Sequence, residues 1–229
     1  MLLPALNNAR RKAKEISCVN NMKQCGLQGF LTYSMDYGEY IYLHNGNHAW
    51  PGLYSNFNGD GVAQNPGLTA GLPRNLGYLS DKKIMQCPVL MRDNLWPGWK
   101  NAYSGARHMS GFFLPTAALV AGAAVQNDIP YFIALQKLPK PSIGYGLSDS
   151  IQSQNYQSAV ASPSVATMTA TRGGIYLHHN RRANVWFWDG HAASAGSRDF
   201  TLLAKNNASP NSTIYLWYSD TVNISVPTK

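Results

Sequence analysis

The sequence predicts an α+β fold: a long N-terminal α-helix packed on an antiparallel β-sheet, with long loops between strands. Three observations carry this expectation. Apolar or small residues step by three and four through Leu3, Leu6, Ala9, Ala13, Ile16, Val19, Met22, Gly26, Phe30, Tyr33 and Tyr37, which is the spacing of one helix face. Asp189-Gly190 stands between two alternating segments, and that dipeptide is hairpin chemistry. Two more alternating segments, Thr213 to Tyr218 and Val222 to Val226, read as a second hairpin near the end of the chain. A helix followed by strands that meander gives a helix laid on one sheet face.

The helix is expected over residues 2–37, stopped by Gly38. Pro4 is tolerated near its start, and Gly26 and Gly29 weaken its middle without ending it. At 1.5 Å per residue it would be roughly 50 Å long, more than a small globule covers. Arg10, Arg11, Lys12 and Lys14 leave little apolar width in the first third, so that part is expected to project. Met1 to Leu6 reads as the tail of a longer apolar segment, and a preceding membrane segment is expected. The chain thus divides into a helical spine, 1–37, and a β-rich globular domain, 38–229.

Within that domain, 38–66 reads as loop and 67–79 as a short helix interrupted at Pro73. Lys83 to Cys87 reads as a strand stopped by Pro88, 91–111 as loop, Ser142 to Leu147 as a strand, and 152–169 as a polar surface loop. Gly174 to His179 is expected to be a strand, Asn180 to Arg182 a turn, Ala183 to Trp188 a second strand, and His191 to Ala195 a third. On the middle strand Val185 and Phe187 share one face, while Asn184, Trp186 and Trp188 share the other.

Composition bounds the function. Among 229 residues, 45% are hydrophobic and only 13% charged, with 13 Tyr and 6 Trp. Such a chain buries a core, and wholesale disorder is excluded. The net charge of +8 invites a nucleic-acid reading, but only Arg10 to Lys14 cluster and the other basic residues are scattered. A phosphate backbone calls for a basic stripe, so nucleic acid is not an expected partner. No run reaches the ~18 apolar residues of a membrane span, so this chain is expected to be soluble.

No Gly-x-Ser-x-Gly, Walker-type loop or His-Glu-x-x-His occurs. Paired carboxylates for glycoside hydrolysis are hard to assemble from 11 acids. His179 and Asp189 invite a dyad, and with His191 they are the residues a hydrolase would use. On the hairpin reading they lie at opposite ends of the strand 183–188, about 20 Å apart at ~3.4 Å per residue. No catalytic residue is therefore assigned and no enzyme expected. Asp189 and Gly190 are assigned to the turn, the carboxylate bonding backbone amides and the glycine taking positive φ.

No metal site is expected either. His178 and His179, as neighbours on a strand, would point to opposite faces; His44 and His48 flank a loop-like Asn45-Gly46-Asn47. Asn56-x-Asn58-x-Asp60-Gly61 echoes a calcium loop, but its twelfth position is Gly67 where Glu is required. Trp96 and Trp99, in a loop-like Trp-Pro-Gly-Trp, are the candidate aromatic platform for a ligand.

Several segments together resemble one family. Leu2-Leu3-Pro4-Ala5-Leu6, Ala9-Arg10, Ala13, Cys18 and Asn21-Met22-Lys23-Gln24 resemble the region after the membrane segment of type II secretion pseudopilin-like and type IV pilin-like proteins. His179, nine residues, then Asp189-Gly190 is similar to the His-x9-Asp-Gly signature near their C-termini, and Cys87-Pro88 to a Cys-Pro pair between the two. The segment Lys137 to Ser150 resembles their linking strand; 89–135 is unmatched. The family's leader and its acidic residue near the mature N-terminus are not in this chain, and Cys25 stands where the family tends to be apolar.

The resemblance implies a pilin-like fold, prepilin-type leader cleavage and N-terminal methylation, and a single-pass anchor in the inner membrane with the globular domain periplasmic or extracellular. It implies a structural subunit assembling with other pilin-like subunits through its helix, in protein transport, with calcium as a cofactor by analogy only. His179, Asn184, Asp189 and Gly190 are then structural motif residues. The alternative is a membrane-tethered extracytoplasmic module binding carbohydrate or protein through exposed aromatics. Outside the cytoplasm Cys18 and Cys87 would bridge helix and sheet, or remain buried thiols. Cys18 and Cys25, about 10.5 Å apart along a helix, are too far for a disulfide.

Overall fold

The computed structural model describes residues 2–44, 50, 54, 76–90, 103–106, 113–115, 131–138, 141–142, 144–151, 157, 160–161, 173–207, 213–219 and 222–227. Its architecture is α+β, with a long N-terminal helix packed on sheets that are antiparallel in the main. The helix runs as α1 (Leu2–Gln24), a π-helical stretch (Cys25–Leu31) and α2 (Thr32–Asp36).

The buried stripe on this helix is not quite the apolar one. Cys18, Met22, Cys25, Phe30 and Tyr33 are buried, whereas Ile16 is half exposed and Val19 only partly covered. Counting apolar residues alone set the face slightly off, because two cysteines occupy core positions. The step of five from Cys25 to Phe30 falls in the π-helical stretch, whose wider turn keeps both on the sheet side.

Three sheets follow among the described residues. One has the order β1–β4–β3, from Tyr40–His44, Tyr131–Ala134 and Phe113–Pro115. The second, β10–β9–β5–β2–β7, comprises Ala192–Gly196, Arg182–Phe187, Tyr145–Ser148, Ser104–Ala106 and Val160–Ala161. The third, β12–β11–β8–β6, comprises Asn223–Pro227, Thr213–Trp217, Gly174–Tyr176 and Ser150–Ile151. Pairing is antiparallel except for β2 with β7 and β8 with β11. A helix α3 (Ser197–Asn207) follows β10.

Strand β9 separates two cores. Trp186 and Trp188 face the N-terminal helix with Met22, Phe30 and Leu147; Ala183, Val185 and Phe187 face the other way, with Ile175, Leu177, Phe200 and Leu216. The alternation along this strand therefore distributes its side chains as the sequence pattern predicts.

Several local expectations need correction. Tyr40–His44 is a strand rather than loop, because it pairs with β4. Lys83 to Cys87 is no strand: Lys82–Met85 forms a 3-10 turn capped by Asp81, whose carboxylate accepts from the Lys83 N–H at 2.8 Å. Its carbonyls find partners on the helix instead of in a sheet. Asn21 Nδ2 donates to the Lys83 and Gln86 carbonyls at 3.3 Å each, and Cys25 Sγ donates to Ile84 O at 3.0 Å. Strands β2 and β7 lie in segments read as loop, and β8 ends at Tyr176, leaving 178–180 as turn. Of the short helix expected over 67–79, residues 76–79 are described and none is helical.

Candidate functional site

The most unusual chemistry lies where the helix meets the β8–β9 connection. Cys18 of α1 and Cys87, just past the 3-10 turn, form a disulfide with a Cα–Cα distance of 5.1 Å. This is the pair expected to bridge helix and sheet. Cys25 is a buried free thiol, and burial raises its pKa well above the ordinary value. Around the bridge, Tyr103 donates its hydroxyl to the Cys18 carbonyl at 3.1 Å, and the Cys87 N–H donates to Gln157 Oε1 at 2.9 Å.

Both adjacent histidines turn toward this bridge. Nε2 of His178 lies 3.3 Å from Cys87 Sγ and Nε2 of His179 lies 3.5 Å from it. Their rings are 3.8 Å apart. The opposite-face argument against a shared ligand thus fails, because 178–180 is a tight turn and not a strand. His179 and Arg182 exchange backbone hydrogen bonds across it at 3.0 and 3.1 Å, and Asn180 and Arg181 take positive φ.

The group facing His179 is Asp149, between β5 and β6. Its Oδ2 is 3.5 Å from His179 Nε2 and accepts the Asn184 N–H at 2.7 Å. The two backbones are tied as well, Asp149 N donating to Asn184 O at 3.0 Å. Asp149 is fully buried and its Oδ1 has no hydrogen-bond partner. Burial, only partly offset by the Asn184 N–H, pushes its pKa up to about 8. Burial also lowers His178 to about 3 and His179 to about 4. His179 and Asp149 therefore meet as neutral groups and not as an ion pair.

Above the histidines a cleft of about 440 Å³ opens between α1 and the turn. Asn8, Arg11, Lys12, Glu15 and both histidines line it. Glu15 is paired with Lys12 at 3.1 Å.

The remaining expected site residues fall elsewhere. Asp189 follows β9 at the end opposite His179; its Oδ1 accepts from the His191 N–H at 3.1 Å and contacts the His191 ring. Gly190 has φ 92°. Asn184 is buried on β9, its side-chain amide unpartnered and its backbone bound to Asp149. Trp96, Trp99 and the calcium-like Asn56 to Gly61 lie outside the described residues, as does His48. Trp50, Trp186, Trp188 and Trp217 are all buried, so among the described residues no tryptophan offers a platform.

Sequence reasoning missed Asp149. The signal was present: an acid inside an alternating segment, in a chain with only 11 acids, is either turn chemistry or a buried polar contact. Two overlapping sets bring their ligand atoms within 4.8 Å of one another: Cys18, Cys87 and His179, and Asp149, His178 and His179. With the disulfide closed, no thiolate is available from the first set. The second offers two imidazoles and a carboxylate. No protein-family model, curated protein or solved structure matches the chain.

Proposed function

We propose that this protein is a pseudopilin-like structural subunit of a type II secretion or type IV pilus-like system. In this reading it is held in the inner membrane by its N-terminal helix, displays the β-rich domain on the periplasmic or extracellular side, and assembles through helix packing. One observation supports the reading best. Residues 3–14 of α1 are exposed throughout, with Leu3 at 74% and Leu6 at 47%, while the same helix from Cys18 onward is clamped to the sheets. A helix that is half spine and half free rod is suited to side-by-side packing with other copies, where burying each apolar Å² contributes roughly 25 cal/mol. No helix among the described residues is long and apolar enough to cross a membrane.

The test uses the full-length gene product in its own cells, with a photo-crosslinking residue at Leu6. Crosslinks to itself or to other helical subunits in the membrane or sheared-surface fraction are expected, and Leu6→Asp should abolish them while leaving the disulfide formed. A product found wholly in the cytosol, or crosslinked to nothing, would overturn the reading.

A further inference from the structure

We propose that His178, His179 and Asp149 bind a divalent cation of the zinc class beside the closed Cys18–Cys87 disulfide. The inference is independent of the subunit reading. The three donors lie within 4.8 Å of one another, and His179 Nε2 is 3.5 Å from Asp149 Oδ2. Metal bonds of about 2.0–2.2 Å set neighbouring ligand atoms roughly 3–3.5 Å apart, so a small shift of the His178 ring completes the arrangement.

A simple hydrogen-bonded pair accounts for less of the geometry. It leaves Asp149 Oδ1 buried without a partner, which is costly, whereas a cation held by both carboxylate oxygens would engage that atom too. It also leaves a second imidazole turned toward the same point as the first, with both Nε2 atoms within 3.5 Å of one sulfur. A cation offers these lone pairs a common acceptor. Around the carboxylate the supporting shell is in place: the Asn184 N–H fixes Oδ2, and the paired backbones of Asp149 and Asn184 hold it in register.

Imidazole and carboxylate donors suit zinc and its first-row neighbours. Three protein donors leave an open position, and the cleft that both histidines line gives access to it. Arg11, Lys12 and Lys14 on the rim oppose a free cation, and Glu15, itself paired with Lys12, offsets only part of that charge. Once a cation and one carboxylate are paired, the net positive site and basic rim favour water, hydroxide or an anionic group at the open position.

The experiment titrates the purified, oxidised, metal-free chain with zinc chloride by calorimetry and follows melting temperature in parallel. One zinc per chain and a raised melting temperature are expected. His178→Ala and Asp149→Asn should each weaken binding more than about 100-fold, beyond the 10–100-fold cost of losing an outer-shell partner. Asp149→Asn keeps the shape and an acceptor for the Asn184 N–H; His178→Ala, at a half-buried turn position, covers the case in which Asn at 149 does not fold. Absence of zinc binding, or binding unchanged in both variants, would overturn the proposal. So would binding that appears only after reduction and disappears in Cys87→Ser, since that would assign the site to thiolates.

Discussion

At Gly26 a Cβ would stand 2.1 Å from the Trp186 ring, and at Gly146, on the neighbouring strand, 2.6 Å from the same ring. Trp186 is thus sandwiched between two glycines, one on the helix and one on β5. Ala at position 26 would gain about 1 kcal/mol in helix propensity. The clash with a fully buried indole is larger, because overpacking a dense core costs about 1–3 kcal/mol even after relaxation. Gly26→Ala should therefore lower unfolding stability by up to about 2 kcal/mol net, read from urea midpoints. Gly29→Ala meets only the flexible end of Leu79 at 3.3 Å and should be close to neutral. From sequence, both glycines are equivalent helix weakeners. Their difference depends on what lies across the interface, and no local pattern records that.

At the level of elements, the disulfide joins α1 to the segment after the 3-10 turn across a sequence separation of 69. In the chain-entropy account, closing a loop of that size restricts the unfolded state by about 4 kcal/mol. Cys18→Ser should cost about that much in denaturant unfolding, and adding reductant to the Cys18→Ser protein should change little further. The helix and both C-terminal hairpins are legible in sequence because their signals are local: the 3.6-residue period, the Asp189-Gly190 turn and strict alternation. The segments misread are those whose partners are distant. Tyr40–His44 becomes a strand only because β4 lies beside it, and Lys82–Met85 coils because Asn21 and Cys25 take its carbonyls.

Across the whole molecule, two cores lie on either side of β9, and both bury tyrosine: Tyr33, Tyr54 and Tyr103 on the helix side, Tyr145 on the other. Tyr103 sits in the helix-side core and Tyr145 in the other; burial raises both hydroxyls well above their ordinary range. In the unfolded chain each ionises near pH 10. The folded state then holds the proton where the unfolded state releases it, so the stabilisation is complete below about pH 10 and is lost as pH rises further. Each phenol should cost about 1.4 kcal/mol per pH unit above that point. Urea midpoints measured upward from neutral pH should stay level with respect to these groups and fall beyond pH 10, with phenolate absorbance of the buried pair appearing only as the chain unfolds. Phenolate signal from both residues in a chain that is still folded near pH 10 would contradict the two-core packing.

By itself the sequence determined the class of fold, the long helix with its projecting first third, the order of faces on β9 and the turn chemistry of Asp189-Gly190. All of these follow from periodicity and backbone preference within a few residues. Only the tertiary structure decided that Asp149, 30 residues before His179, is its neighbour, and that His178 and His179 turn the same way toward Cys87. A short turn reverses the side-chain directions that a strand would impose, and a buried carboxylate acquires its surroundings from segments far away in the chain. The cluster is therefore a property of packing, assembled from four separate segments that carry no shared signal.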